Sequence, residues 1–144
     1  MAVELPEGWV LDRNRNGAFY FLKRGESYQS ARTLMYVNVE ALDKSLENAI
    51  RKDTQSFQKN CHPSEIKDLA KPRLLEEGCE SKTQMFSCRR EQNPYVDLVT
   101  KISIDNLLLN VVLSADDAGE ISRYRKDYDS VLMHLTVVKS ERAQ

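Results

Sequence analysis

The sequence predicts an α+β fold in which an antiparallel sheet of about six or seven strands packs between helices. Three observations support this class: two segments with helical periodicity, several short β-rich runs, and tight turns between consecutive runs. The predicted element order is β-β-β-α-β-β-β-β-α. Strands joined by tight turns pair antiparallel, and the helices then cover the sheet. The 144 residues are expected to form a single domain, residues 1–144, with one hydrophobic core.

The first third of the chain is predicted to form three strands. The first covers Trp9–Asp12 and ends in a turn at positions 13–17, whose Asn-Gly pair tolerates positive φ. The second covers Ala18–Lys23. After a polar loop, Thr33–Val39 is rich in β-forming residues and makes the third strand.

The first helix is predicted from Asp43 to Asn60, because apolar residues recur there at helical spacing. Asp43 is the expected N-cap. The helix is expected to end at His62-Pro63, since the residue before a proline is pushed toward extended geometry. A short capped turn is then predicted over 64–69.

Two further strands are predicted over Arg73–Glu80 and Thr83–Arg90, around a turn near positions 81 and 82. This hairpin would bring Cys79 opposite Cys88, so a disulfide between them is one interpretation. The other is three reduced, half-buried thiols, since Cys61 makes the cysteine count odd. The ligand types also suggest zinc, but the spacing matches no zinc motif. We therefore expect no metal and no cofactor.

The strongest strand pattern alternates over Tyr95–Ile104 and returns through a two-residue turn over Leu107–Leu113. The returning strand is apolar on both faces, which is typical of a central strand covered by a layer on each side. One layer is the closing helix, predicted over Ile121–Val138 from a stripe of apolar and tyrosine residues. Its N-cap is predicted at Ser114 or Asp117.

Composition and motifs exclude several classes of function. The 21 basic and 22 acidic residues give a net charge of -1, so the basic field typical of nucleic-acid binding is missing. The apolar runs are much shorter than a membrane span requires. No phosphate-binding, nucleophile-elbow or metalloprotease motif occurs. We therefore expect no nucleic-acid partner, no transmembrane segment, no catalytic residue and no enzymatic activity.

The opening string Leu5–Trp9, LPEGW, is also typical of WW modules, which bind proline-rich peptides. Such a module needs a second aromatic residue about twenty positions later, followed by a proline. Here that stretch begins at Tyr28 and contains neither Trp nor Pro. The sequence therefore argues against a WW module, and Trp9 is predicted to plug one end of the sandwich.

Several segments resemble the PsbP-like and DcrB-like family of small, often exported bacterial proteins of unassigned function. The shared features are the opening Pro-x-Gly-Trp, a strand that leads into the first long helix, and an apolar strand that ends in Leu113-Ser114 before the closing helix. The strings at 19–25 and 34–39 are also similar. The resemblance implies a three-layer α/β/α sandwich and a non-enzymatic role in larger assemblies or in the envelope.

Two hypotheses about function follow. The first is a binding or accessory module that contacts an unidentified protein partner in the bacterial envelope. Its candidate surface consists of aromatic and arginine residues, the types enriched at interface hot spots: Trp9, Tyr20, Tyr28, Arg89, Arg90 and Tyr95. The second is a small-ligand carrier or unrecognised enzyme with a pocket between the sheet and the first helix. It requires a cavity of several hundred Å³ with convergent polar groups, and no such cluster stands out in the sequence.

The compartment depends on what preceded Met1. If an export signal was removed there, the protein is periplasmic or attached to the envelope. If the chain starts at Met1, it is cytoplasmic. The sequence leaves the oligomeric state open.

Overall fold

A computed structural model describes residues 3–15, 18–70, 72–74 and 79–136. In chain order its elements are β1 Trp9–Arg15, β2 Ala18–Lys23, β3 Thr33–Ala41, α1 Leu46–Asn60, β4 Ser64–Leu69, β5 Glu80–Cys88, β6 Tyr95–Ile104, β7 Leu107–Ala115 and α2 Ala118–Met133. The predicted α+β class and element order are confirmed. The predicted turn at 13–17 falls partly outside the described residues, and β1 continues to Arg15.

All seven strands form one antiparallel sheet in the order β1-β2-β3-β7-β6-β5-β4. The strand β7 lies at the centre and pairs with β3 on one side and β6 on the other. The sheet therefore joins two meanders, β1-β2-β3 and β4-β5-β6-β7, along the β3–β7 ladder. The helix α1 connects the two meanders.

The two helices cover opposite faces of the sheet. On the face that we call the α2 face, α2 packs against β7, β6 and β3. On the other, the α1 face, α1 packs against β6, β5 and β4. The predicted layer on each side of the sheet is confirmed, but α1 packs mainly on the β4–β6 side of its face and not on the β2–β3 side. Neither helix in the described part of the chain is long and apolar enough to cross a membrane.

The α2 face holds the main hydrophobic core. Alternate residues of β7, including Leu109, Val111 and Leu113, are fully buried against α2, because side chains of a strand point to opposite faces in turn. The hydroxyl of Tyr128 donates to the carbonyl of Val111 at 2.7 Å and shares a second hydrogen bond with Thr100, also at 2.7 Å. The buried polar groups in this network are thus satisfied within the protein.

Local capping sets the helix starts. The predicted N-cap at Asp43 is wrong: the hydroxyl of Ser45 accepts from the backbone N–H of Asn48 at 3.1 Å. Lys44 has a φ of 68°, which a right-handed helix does not allow, so α1 begins later than predicted. Asp117, one of the two predicted caps, starts α2 by accepting from the N–H of Glu120. The helix α2 ends at Met133, and the predicted end at position 138 lies outside the described residues.

The region between α1 and β6 differs most from expectation. The predicted capped turn over 64–69 is the strand β4, and the predicted turn near positions 81 and 82 does not form. Instead Ser81 and Lys82 lie within β5, which pairs with β6 along its whole length. The chain continues straight here because these residues lack the Gly or Asn that a tight turn favours. Part of the strand predicted over 73–80 lies outside the described residues.

The predicted Cys79–Cys88 disulfide is wrong, because Cys88 is bonded to Cys61, with their Cα atoms 5.8 Å apart. Cys79 comes just before β5 and Cys88 ends it, so a whole extended strand of roughly 30 Å separates them. Cys61 is the C-cap of α1, which places it over the end of β5. Cys79 keeps its thiol and packs against the core of the α2 face. The alternative of three reduced thiols and the zinc interpretation are also replaced, since two of the cysteines are bonded to each other.

Candidate binding cleft

A cleft of about 390 Å³ lies between α1 and the α1 face of the sheet. Its walls come from β3, β5, β6, β7 and α1: Tyr36, Asn38, Glu40, Asp53, Ser56, Phe57, Asn60, Phe86, Tyr95, Asp97, Val99, Lys101, Asn110 and Val112. The volume falls within the range of roughly 300–1,000 Å³ typical of ligand sites. The position is the one that the small-ligand hypothesis requires.

The polar floor of the cleft follows from strand periodicity. Side chains two residues apart on a strand share a face, so Asp97 and Lys101 of β6 both point toward α1, as does Asn38 of β3. The register brings Asn38, Asn110 and Lys101 into one row across β3, β7 and β6. A second row joins Asp97 to Ser114 of β7. Polar groups from three strands thus converge on one cleft.

One end of the cleft carries a closed network of charges. Lys101 is only 4% exposed and forms an ion pair with Asp53 of α1. Its ammonium also donates to Oδ1 of Asn110 at 2.6 Å. Asn110 in turn donates from Nδ2 to Glu40 at 3.3 Å. This chain of contacts ties α1 to the sheet and leaves the buried lysine charge compensated.

The other end of the cleft is aromatic. The ring of Phe57 on α1 stacks on Phe86 of β5, with centroids 5.1 Å apart, and Tyr95 meets Phe57 edge-on at 6.2 Å. In the sheet register Phe86 stands directly opposite Asp97. The Cys61–Cys88 disulfide belongs to the same apolar cluster and fixes the end of α1 against these rings.

Two buried oxygens in the cleft have no partner. Oδ1 of Asn38 and Oδ1 of Asp97 are shielded from solvent and accept no hydrogen bond from any residue that the structure describes. Such groups are rare in folded proteins, because an unsatisfied buried polar atom costs roughly 1–3 kcal/mol. A bound ligand that donates hydrogen bonds would satisfy both.

Burial also changes the acid–base behaviour of the cleft. Loss of solvent raises the pKa of Asp97 to about 6, and a hydrogen bond with Ser114 partly opposes this shift. Burial, followed by the nearby charge of Asp97, raises the pKa of Tyr36 far above neutral pH. At pH 7 the cleft therefore presents a carboxylate that lacks adequate solvation and a neutral tyrosine hydroxyl.

The predicted interaction surface is only partly brought together. Trp9 is 4% exposed, and its indole N–H donates to Asp127 at 2.8 Å. Trp9 is therefore an interior residue, in agreement with its predicted role as a plug. Its burial does not agree with its predicted place on a contact surface. Arg89 lies outside the cleft walls and forms an ion pair with Glu65 at 3.1 Å.

The other predicted surface residues lie around the cleft. Tyr28, 40% exposed, meets Tyr20 edge-on at 5.6 Å, and Tyr20 contacts Tyr36 at 5.4 Å. At the aromatic end the guanidinium of Arg90 lies 5.7 Å from the ring centroid of Tyr95. Aromatic side chains therefore connect the protein surface with the floor of the cleft at two places, through Tyr28 and Tyr20 and through Tyr95.

The sequence contained a signal for this site that the prediction missed. Within β6, the positions between the apolar residues of the α2 face include Asp97 and Lys101, and β3 carries Asn38 and Glu40 in the same alternation. Charged residues on a face that a helix covers are rare unless they are paired or functional. That pattern could have pointed to a polar cleft under the first helix.

Among the described residues of the cleft, no nucleophile is paired with a general base. The described residues that line the cleft include neither histidine nor cysteine, and the hydroxyl of Ser56 accepts a hydrogen bond from Asn60 at 3.4 Å instead of contacting a base. Within the described ranges, no group of three or more His, Cys, Asp or Glu side chains is arranged to hold a metal ion. What the cleft offers is hydrogen-bond acceptors, negative charge and aromatic surface.

Comparison with solved structures shows that the fold is PsbP-like. The cyanobacterial PsbP protein CyanoP from Synechocystis sp. PCC 6803 superposes with a TM-score of 0.61 at 15% identity, over 92% of this chain and 84% of that one. The protein PA94 of unknown function from Pseudomonas aeruginosa superposes with a TM-score of 0.62 at 12% identity, over 92% of this chain and 99% of PA94. The Ran-binding protein Mog1p from Saccharomyces cerevisiae superposes with a TM-score of 0.55 at 9% identity, over 86% of this chain and 76% of Mog1p.

These likenesses extend over most of each chain but are far too remote in sequence to transfer a function. No family model matches the sequence, and no curated protein matches it either. The resemblance to PsbP-like proteins predicted from the sequence is thus confirmed at the level of the fold.

Proposed function

We propose that this protein is a non-enzymatic binding module that holds part of a protein partner in the cleft on the α1 face. The observation that carries the proposal is the pair of unsatisfied buried oxygens, on Asn38 and Asp97, in an open cleft. A ligand that donates hydrogen bonds there would remove a penalty that the free protein bears. The aromatic residues around the cleft, such as Tyr28 and Tyr95, are of the type enriched at binding hot spots.

The proposed setting is an oxidising compartment such as the bacterial envelope. The Cys61–Cys88 disulfide supports this, because structural disulfides persist mainly outside the cytosol. Among the structural neighbours, Mog1p is described as Ran-binding, so this fold can serve protein recognition. An accessory role in a larger assembly agrees with both points.

The proposal is tested by site-specific photocrosslinking in the organism of origin. A photoreactive phenylalanine analogue at Tyr28 stands at the aromatic approach to the cleft, and the same analogue at Met133, exposed at the end of α2, is the matched control. We expect a discrete crosslinked protein from position 28 and not from position 133, with mass spectrometry identifying the attached segment. Crosslinks from position 133 alone, or from neither position, would refute the proposal.

A small-ligand carrier is the second candidate, and the volume of the cleft supports it. Native mass spectrometry of the protein purified from its own host separates the two functions. A small adduct that is lost when Asn38 is replaced by a larger residue would favour the carrier. A bare chain together with a protein crosslink at position 28 would favour the binding module.

A further inference from the structure

We propose that the cleft holds an extended segment of the partner, with one lysine side chain inserted at the aromatic end so that its ammonium pairs with Asp97. This inference rests on the proposed function and adds the chemistry of the group that binds. It follows from the different character of the two ends of the cleft.

The aromatic end is suited to an organic cation. Oδ1 of Asp97 is buried without a donor, and no described cation forms an ion pair with this carboxylate. Phe57, Phe86 and Tyr95 surround the site with ring contacts of 5.1 and 6.2 Å. Ring faces attract cations, and the four-carbon stem of a lysine can pack along apolar walls while its ammonium reaches the carboxylate.

Arg90, the cation nearest to this end in the sequence, is already engaged. Its guanidinium lies 5.7 Å from the ring centroid of Tyr95, and its Nε donates to the carbonyl of Asn93 at 3.3 Å. Arg90 therefore lies beside Tyr95 and does not pair with Asp97, so the position beside Asp97 is open to a cation from the bound partner.

The geometry of the acceptor favours lysine over arginine. Of the two carboxylate oxygens of Asp97, Oδ1 alone is buried without a hydrogen-bond partner among the described residues. An arginine fork is best matched by two parallel acceptors, whereas an ammonium is a compact point charge that one oxygen can receive. A single unsatisfied oxygen therefore selects the ammonium.

The far end of the cleft calls for a neutral donor. There the charged groups already have partners: Lys101 forms an ion pair with Asp53, and Glu40 accepts a hydrogen bond from the amide of Asn110. The unsatisfied atom is the amide oxygen of Asn38, which a backbone N–H would satisfy without introducing a charge. The ligand thus carries a cation at one end and an amide at the other.

The separation of the two acceptors points to an extended peptide. Asn38 and Asp97 lie two strands apart and are offset by four residues in the register, which places their Cα atoms roughly 16 Å apart in standard strand geometry. An extended chain rises about 3.3 Å per residue, so the lysine stem and a few residues of backbone together cover this span. A short diamine cannot reach both acceptors.

Calorimetric titration with four synthetic ligands tests the inference. The probe is the blocked peptide acetyl-Ala-Ala-Lys-Ala-Ala-amide. Its comparators replace lysine by norleucine, which keeps the stem without the charge, or by arginine, and the fourth ligand is 1,5-diaminopentane. We expect one-to-one binding of the lysine peptide with a Kd below about 1 mM, at least about tenfold tighter than the norleucine peptide. The arginine peptide and the diamine should bind more weakly than the lysine peptide.

Two variants locate the effect. Asp97→Asn, which keeps the shape of the side chain, should weaken the lysine peptide at least about tenfold and leave the norleucine peptide unchanged. Asp129→Asn is the matched control, because it removes a half-exposed carboxylate of α2 that pairs with Arg125. That variant should bind as the wild type does.

Several results would overturn the inference. These are the absence of binding by the lysine peptide, equal affinity for lysine and norleucine, tighter binding of arginine, or a diamine that binds as tightly as the peptide. The photocrosslinking experiment keeps the two proposals distinct. A crosslinked partner segment without lysine would refute this inference alone, whereas no crosslink at position 28 would refute the proposed function itself.

Discussion

The two faces of the sheet differ in how completely their buried polar groups are satisfied. On the α2 face, Tyr128, Thr100 and Thr83 form a hydrogen-bonded chain with distances of 2.7 and 2.8 Å, enclosed by apolar side chains. On the α1 face, Asn38 and Asp97 carry buried oxygens without partners beside an open cleft. This difference shows that α2 completes the core. The helix α1 instead forms one wall of a cleft in which two hydrogen-bond acceptors have no partner within the described part of the protein.

The attachment of α1 should depend most strongly on the disulfide. Replacing Cys61 and Cys88 together by serine removes a crosslink across 27 residues of sequence, and the expected loss is about 3.5 kcal/mol of unfolding free energy. Hydrogen exchange should show that amides of α1 lose protection before those of α2, because the α2 core does not involve these cysteines.

Cys79→Ser is the control for that experiment. Cys79 takes no part in the disulfide and packs on the α2 face, so its replacement should cost about 1 kcal/mol and leave α1 protected. Equal loss of protection in both helices of the Cys61/Cys88 variant would break the comparison between the two faces.

The buried carboxylate should make stability fall as pH rises. The folded-state pKa of Asp97 is about 6, above the ordinary value of 3.8, so the folded protein holds a proton that the unfolded chain releases. Its stabilising contribution is complete well below the ordinary pKa of 3.8 and is lost as pH rises through 6. The full shift corresponds to about 3 kcal/mol.

Urea unfolding of the wild type and of Asp97→Asn between pH 4 and pH 7 measures this contribution. The wild type should lose about 2.4 kcal/mol more than the variant over this range, because part of the full effect has already been lost at pH 4. The titratable groups that face Asp97 are the hydroxyls of Tyr36 and Tyr95, and burial raises the pKa of both, so neither ionises in this window. Parallel profiles for the two proteins would mean that the cleft keeps Asp97 well solvated.

Adjacent valines of β7 offer a smaller and closely matched comparison. Val111 is 0% exposed on the α2 face and Val112 is 3% exposed on the floor of the cleft. Val111→Ala should cost about 2 kcal/mol, because it leaves a closed void in a packed core. Val112→Ala should cost about 1 kcal/mol, because the space joins the cleft. Equal losses in chemical denaturation would show that both faces are packed alike.

The sequence predicted the α2 face far better than the α1 face. Alternation in β6 and β7 and the stripe of α2 depend on local periodicity, so the strand pair, the covering helix and the cap at Asp117 could be anticipated. The start of α1 depended on the positive φ of Lys44, which a pattern of apolar residues does not encode. The partner of Cys88 depended on the path from α1 into β4, which brings Cys61 over the end of β5.

The cleft itself needed tertiary information. Asn38 is far in the chain from the hairpin that carries Asp97 and Asn110, and the three residues converge only through the β3–β7–β6 register. Alternation could have indicated that some of them face α1. It could not have indicated that α1 stops short of β3 and leaves two oxygens without donors.

The most direct test of this account applies the same change, polar to apolar, to both faces and compares the free energies of unfolding at pH 7. On the α2 face, Thr100→Val removes the hydroxyl that joins Thr83 to Tyr128, leaves the buried hydroxyl of Thr83 without this partner and should lower stability by about 1–3 kcal/mol. On the α1 face, Asn38→Leu/Asp97→Leu removes two unsatisfied groups and should raise stability by about 2 kcal/mol. Opposite signs are the result predicted for a face kept polar for binding. A loss of stability in both variants would contradict this account, because the polar residues of the cleft floor would then stabilise the fold itself.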